Sequence, residues 1–435
     1  MQAIAVQYKN LIRWDVKSFL LPSWKWDESE LVPLGSILKR RSEEYKGAET
    51  PTLLSIHFDG ELTKRKTKDL KGRVFMAHPG DVVYSKIDVR NGAIGIVPET
   101  YGKVAFTSEF PIYEVDTTKI NSLYLQLILK TSLFNKLINS LVSGSSGRKR
   151  VNPEGLEGLK IPMPSLTEQK KIVVAWKEAE EKADGLLQKA FETGQGIEGI
   201  LFDAIGFRKT EYKKQNIFLI RFQYLERWDA YFYRKDFFDV IRQLSRANSK
   251  PLGQLAHFVG RPWKESDFPD GYFRYVQISD VEEKAGITSA TSVKASDAPS
   301  RATQIIKSDD LIISTTRPYL AAFAKVGANY DNCVASSGFS VIDKVSPKLD
   351  KNFLLLFLKS FCGIKQFEQR MTGGSYPAIT QEEMEKILIP LPPLVKQKEI
   401  VAKIEKMRAQ AADMRHEAEK IRADAKSGIE KLLIG

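Results

Sequence analysis

Toward its C-terminus the chain places apolar residues at Ile400, Ile404, Met407, Ala411, Met414, Ala418, Ile421 and Ala425. The steps alternate four and three. That is a heptad seam, and it predicts one long amphipathic helix over residues 394–433. A second seam lies mid-chain at Ile172, Trp176, Ala179, Ala183, Leu186, Ala190, Thr193, Ile197 and Ile200, with one polar slip at Thr193. Alanine at alternate seam positions lets two helix backbones approach closely. Each helix therefore wants a partner, and the other copy is the nearest candidate; the alternative is that each helix covers its own domain. At 1.5 Å rise per residue the C-terminal helix would be roughly 60 Å long. The second globular region begins where the first helix ends and finishes where the second begins. Antiparallel pairing would bring those two points to the same end of the rod.

Both seams open in the same way. Ile161-Pro162-Met163-Pro164-Ser165-Leu166 leads into Gln169-Lys170-Lys171-Ile172-Val173, and Ile389-Pro390-Leu391-Pro392-Pro393-Leu394 leads into Gln397-Lys398-Glu399-Ile400-Val401. The correspondence continues upstream. Arg13-Trp14-Asp15 matches Arg227-Trp228-Asp229, and Pro33-Leu34-Gly35 matches Pro251-Leu252-Gly253. The strand-like run Asp81-Val82-Val83-Tyr84-Ser85 matches Asp310-Leu311-Ile312-Ile313-Ser314, Thr107-Ser108-Glu109-Phe110 matches Ser336-Ser337-Gly338-Phe339, and Tyr124-Leu125-Gln126-Leu127 with Lys130 matches Phe353-Leu354-Leu355-Leu356 with Lys359. The spacing between copies drifts, as loop insertions between duplicated domains would make it. A shared scaffold with divergent loops predicts two related domains that bind different things. The expected architecture is α/β, of the mixed α+β kind: a domain over 1–163, a spacer helix over 164–207, a second domain over 208–391 and a C-terminal spacer helix over 392–435. The two domains would be related by a pseudo-twofold axis.

Composition narrows the class. A chain of 435 residues with 43% hydrophobic content is long enough for two or three domains with cores of their own. It has no apolar run of eighteen residues and no secretion leader, so neither a membrane span nor export is expected. Cys333 and Cys362 are its only cysteines, which suits a reducing cytoplasm. The net charge of +12 and pI near 9.3 favour a polyanionic partner over a neutral one, although a basic soluble protein would read the same from charge alone. Clustering adds to that: Lys64, Arg65, Lys66, Lys68, Lys71 and Arg73 crowd one polar stretch, and Arg148-Lys149-Arg150 follows the turn Ser143-Gly144-Ser145-Ser146-Gly147. Basic side chains on turns can follow a phosphate backbone.

Catalytic signatures are few. His57, His78, His257 and His416 have no metal-ligand spacing, and there is no P-loop, no G-x-S-x-G and no amino-methyltransferase motif. Gly194-Gln195-Gly196-Ile197-Glu198-Gly199 spells G-x-G-x-x-G but lies inside a helical seam and follows no strand. These glycines are expected to kink or loosen the far end of the first helix. Pro269-Asp270 with Glu282-Glu283-Lys284 fits the loose nuclease pattern PD…E-x-K, in which Asp270 and Glu282 would hold Mg²⁺ beside Lys284. That pattern needs a hairpin of strands to assemble it.

With the paired Pro-Leu-Gly and I-P-x-P-x-L-x-x-Q-x-x-I-V segments in this order, the chain resembles the DNA-specificity subunits of type I restriction–modification systems over nearly its full length. The resemblance implies two target-recognition domains on an antiparallel helical rod, each reading one half of a split sequence in double-stranded DNA. It also implies two methyltransferase subunits around the rod, joined by restriction subunits. Catalysis and S-adenosylmethionine would belong to those partners, with no cofactor or metal in this chain. The specificity component of another methylation-based defence assembly would look the same. One departure stands out: Glu168-Gln169 keeps the family's Glu-Gln, whereas Lys396-Gln397 does not.

Base readout needs side chains that reach groove edges. The candidates are Lys64, Arg65 and Lys66; Lys86, Arg90 and Asn91 after the first Asp-Val-Val strand; and Arg148, Lys149 and Arg150 before the first helix. In the second half they are Arg317 and Tyr319, with Thr316 beside them, and Ser375 and Tyr376 after Gly373-Gly374. An ordinary surface role is open for each.

Overall fold

The computed structural model describes residues 23–47, 51–65, 73–141, 150–211, 220–222 and 225–434. Arg13-Trp14-Asp15, Lys66, Lys68, Lys71, the 143–147 turn, Arg148 and Lys149 lie outside the described residues. The chain forms two compact units, Met1–Leu187 with Arg415–Gly435, and Gln188–Met414. The long helices Leu166–Ile205 and Leu394–Ile434 each contribute to both units.

Each unit is built on the same four-stranded antiparallel sheet. In the first, the order is Leu38–Arg41, Ile112–Val115, Val82–Tyr84, Ile94–Ile96; in the second it is Ala256–Val259, Phe339–Val345, Leu311–Ser314, Phe323–Lys325. The interior strands Val82–Tyr84 and Leu311–Ser314 are buried along their whole length, which is why they read as continuous apolar runs. Beside this sheet the halves diverge. The first unit has the separate pairs Leu54–Ile56 with Leu62–Lys64 and Val74–Ala77 with Val104–Thr107. The second has a four-stranded sheet, Thr291–Lys294, Tyr272–Val276, Val334–Ser336, Ala302–Ile305, in which Tyr275 pairs with Val334 in parallel, and the small hairpin Val281–Glu282 with Gly286–Ile287.

The duplicated proline motifs have a common task. Leu31–Pro33 pairs with Lys160–Pro162, and Ser249–Pro251 pairs with Leu388–Pro390, in the same antiparallel register. The glycine of Pro-Leu-Gly is required by close approach. A Cβ on Gly35 would lie 3.2 Å from Glu157 Cβ, and one on Gly253 would lie 2.9 Å from Glu385 Cβ.

The glutamine that follows each motif is fully buried and fastens the start of the long helix to the globular part. Gln169 Oε1 accepts from the Asn121 amide at 2.8 Å while its Nε2 donates to the carbonyls of Pro164 (2.8 Å) and Lys119 (3.5 Å). Gln397 repeats this with the Asp350 amide (2.8 Å) and the carbonyls of Pro392 (2.8 Å) and Lys348 (2.9 Å). Asn121 and Asp350 are themselves the N-caps of Ser122–Leu129 and Lys351–Lys359.

Within the first unit Val173 shares a core with Ile429 and Leu433, while Arg422 is paired with Glu180 (3.0 Å) and Asp184 (2.6 Å). Within the second, Leu201 and Ile205 share a core with Ile400 and Ile404, and Met407 lies beside Gly196. In each unit the two helix segments therefore run antiparallel. Every seam position named above is buried or half-buried. Gly194, Gly196 and Gly199 do not interrupt the first helix, which runs on to Ile205. Leu201 and Ile205 are anchored in the second core just beyond them, and such burial outweighs the roughly 1 kcal/mol helix penalty of each glycine.

Candidate nucleic-acid interface

The candidate readout loops are placed by a turn and a buried carboxylate. Asp81 accepts from the His78 amide (2.8 Å) and from Arg41 through both oxygens (2.7 and 3.1 Å). Asp310 accepts from the Lys307 amide (2.8 Å) and from Arg261 in the same two-pronged way (2.6 and 3.2 Å). The hydrogen bond to Asp81 raises the Arg41 guanidinium above its ordinary value. The residue before the carboxylate is left-handed in both halves, Gly80 at φ 85° and Asp309 at φ 72°. The loop leaving each central strand is then tied down by one main-chain bond, Val151 N–H to Lys86 O and Ile379 N–H to Thr315 O, both 2.9 Å. Two regions far apart in sequence are thereby brought to the same end of the sheet.

In the first unit that end gathers Lys86 and Arg150. The Lys86 ammonium donates to Ser108 O at 2.8 Å, and Arg150 pairs with Glu109 at 3.1 Å. Arg90 and Asn91 lie on the short turn Val89–Asn91, closed by Gly92 at φ 103°. Asn139 fixes that turn by donating to Arg90 O at 3.0 Å, and Asn91 is exposed. A cavity of about 200 Å³ beside Lys86 is lined also by Arg40, Arg41 and Ser108. Sequence reading passed over those two arginines. Both are engaged: Arg41 on Asp81, and Arg40 on Glu154 (2.6 Å) and Glu157. Lys64 and Arg65 are exposed at the end of Leu62–Lys64, on a separate small sheet.

In the second unit the candidates converge more tightly. The Arg317 guanidinium carbon stands 4.9 Å from the centroid of the Tyr376 ring, and its Nη2 reaches Ser375 O at 3.4 Å. The Arg317 amide donates to Pro377 O at 2.7 Å, and Thr316 bridges to Ala378. Arg317 is left-handed (φ 49°, ψ 52°), a conformation that costs a non-glycine residue about 1–2 kcal/mol. The turn it opens, Pro318–Leu320, closes on Ala321, also left-handed at φ 51°. Tyr319 and Leu320 are exposed beside it, Leu320 by 56%, and Tyr376 is exposed by 73%. Leu320 escaped the sequence reading; the only signal was an apolar residue within a Pro-Tyr turn.

The nuclease pattern does not assemble. Asp270 sits in the turn before Tyr272–Val276, whereas Glu282 belongs to the small hairpin Val281–Glu282 with Gly286–Ile287, and these strands lie in different sheets. Among the described residues no group of three or more His, Cys, Asp or Glu side chains could hold a metal. Nor, among those residues, is any helix long and apolar enough to cross a membrane. The second Arg-Trp-Asp segment is structural at two of its positions: Arg227 pairs with Glu383 (2.6 Å), and Asp229 caps Ala230–Tyr233.

Comparison with known proteins bears on the family and the fold. The family described as type I restriction modification DNA specificity domain matches residues 60–182 and again 247–422. The chain is 25% identical over 324 residues to the type I restriction enzyme MjaVIII specificity subunit of Methanocaldococcus jannaschii, covering 73% of this chain and 70% of that protein. It is 29% identical over 182 residues to the EcoAI specificity subunit of Escherichia coli, covering 40% and 31%. Its fold is similar to that of a chain solved in work on complex assembly of the type I R-M system, with a TM-score of 0.57, 15% identity and coverage of 95% and 97%.

Proposed function

The chain belongs to the type I restriction–modification DNA specificity family, and from that membership we propose that it selects the DNA sequence on which partner subunits act. It is the non-catalytic member of the assembly. Its domains over 1–163 and 208–391 each read one half of a bipartite target in double-stranded DNA. The helices over 164–207 and 392–435 set the gap and dock two methyltransferase subunits, which carry S-adenosylmethionine, with restriction subunits joining them in the cytoplasm. The observation that carries the reading is that one scaffold, with its buried carboxylate and pinned loop, is built twice while the loop side chains differ. Two copies of a frame with different fingers suit two unlike half-sites.

The DNA-contacting set we propose is Lys64, Arg65, Lys66, Lys86, Arg90, Asn91, Arg148, Lys149 and Arg150 in the first half. In the second it is Arg317, Tyr319, Ser375 and Tyr376. The test is to exchange residues 20–160 for the matching domain of a relative, co-produce the chain with its methyltransferase partner and map modified bases across a genome. One half of the target should change and the other stay. A swap that altered both halves, or a wild-type complex without sequence preference, would overturn the reading. An insertion of seven residues near Ala190 adds about 10 Å of helix in register and should widen the gap by roughly three base pairs.

A further inference from the structure

We propose that Arg317, whose guanidinium lies over the Tyr376 ring, reads a guanine in the half-site recognised by the second unit; this rests on the function proposed above. The starting point is an arginine whose charge has no carboxylate. Arg227, Arg234, Arg242, Arg261 and Arg370 of the same unit are each paired with an acidic side chain, while Arg274, over the Tyr330 ring at 5.4 Å, is engaged by Asn329 O at 2.6 Å. Among the described residues Arg317 has no ion pair; its contacts are the Tyr376 ring and a long hydrogen bond to Ser375 O. A guanidinium that lies over an aromatic ring and has no carboxylate partner keeps donors available for bidentate donation to guanine O6 and N7.

The backbone points the same way. A left-handed conformation at a non-glycine residue persists only where the surroundings hold it, and such strain gathers at functional positions. Here the Pro377 carbonyl holds the Arg317 amide, the Thr316–Ala378 bridge holds its neighbour, and Pro318 stiffens the turn that follows. The side chain is thus aimed from a rigid loop rather than a mobile one. The exposed surroundings, Tyr319, Leu320 and Tyr376, offer apolar surface of the kind that meets base edges in a groove. Arg317 is the specificity-determining residue and Tyr376 the positioning residue.

The experiment co-produces the full chain with its methyltransferase partner in a host lacking other modification. Methylated motifs are then mapped for wild type, Arg317→Ala, Arg317→Lys, Tyr376→Ala and Tyr376→Phe, with unfolding midpoints measured alongside. Arg317→Ala should relax one G·C position in one half-site, with discrimination there falling about 5- to 150-fold and every other position unchanged. Arg317→Lys keeps the charge but loses the planar fork, so it should relax the same position; it decides the matter if the alanine variant does not fold. Tyr376→Ala should relax that position less, and Tyr376→Phe should restore it. An even loss of methylation at all sequences would make Arg317 a phosphate contact and overturn the assignment. So would an unchanged motif from a folded variant. If wild type keeps a specific bipartite motif while both Arg317 variants are silent, only this assignment falls.

Discussion

The two units share a sheet order, a buried Asp–Arg pair and a glutamine staple, and they part at the loop beyond the central strand. In both, a left-handed residue closes the short turn there, Gly92 in the first unit and Ala321 in the second. The residue that opens the turn differs: Asp88 is right-handed at φ -96°, with Lys86 and Arg150 nearby occupied by Ser108 O and Glu109, whereas Arg317 is left-handed and carries an unpaired guanidinium over Tyr376. What is common is fixed by buried polar groups, each of which has one satisfactory arrangement. What differs is on the surface, where sequence can vary without leaving a donor or acceptor stranded.

If buried polar groups set the common frame, removing them should injure both halves alike. Asp81→Ala and Asp310→Ala should each destabilise their unit by about 3–5 kcal/mol, since Arg41 or Arg261 and a turn amide lose their acceptor. Urea unfolding of both variants checks this, and a loss in one half only would break the equivalence. Gln169→Ala and Gln397→Ala come next, at about 2–3 kcal/mol each, because an amide and two carbonyls lose their partner.

Lys359 against Lys130 tests a difference between the halves. Burial pulls the Lys359 ammonium down to about 8; Arg408 acts in the same direction and Glu283 opposes. Lys130 is exposed. The folded value lies below the unfolded one, so the cost of burying the charge is fully present below about pH 8 and fades as pH rises toward 10.5. Lys359→Met should therefore stabilise the protein by about 1–2 kcal/mol at pH 7, and the gain should shrink above pH 8. Lys130→Met should be near neutral, and equal effects from the two would remove the distinction.

The smallest effect concerns the helix starts. Ser165 and Glu168 form a reciprocal cap on the first long helix, the Ser165 amide donating to Glu168 Oε2 (3.1 Å) and the Glu168 amide to Ser165 Oγ (3.3 Å), whereas Pro393 and Lys396 occupy these places in the second, and Lys396 turns to Glu399 instead. Glu168→Ala should cost about 0.5–1 kcal/mol, while Lys396→Glu should gain almost nothing because it meets no serine. Thermal melts of the two variants measure the contrast.

The helical seams were legible because heptad spacing is a local signal: each residue from Ile400 to Ala425 that the period selects is buried or half-buried, and most of its neighbours are exposed. The central strands were legible for the same reason. The three glycines misled, because propensity is also local and the core that holds Leu201 and Ile205 is not. Arg317 and Tyr376 could be named as candidates one by one from sequence. Their stacking could not, since it depends on Thr315 and Ile379 meeting across the fold. The roles of Gln169 and Gln397 were hidden too, because their partners are main-chain atoms apart from Met163 Sδ, 3.6 Å from Gln169 Nε2.

That last property reaches beyond stability. A fastening made chiefly to amides and carbonyls depends little on the side chains around it. A domain can be rewritten at its surface and in much of its loops and still present the same socket to the same plug.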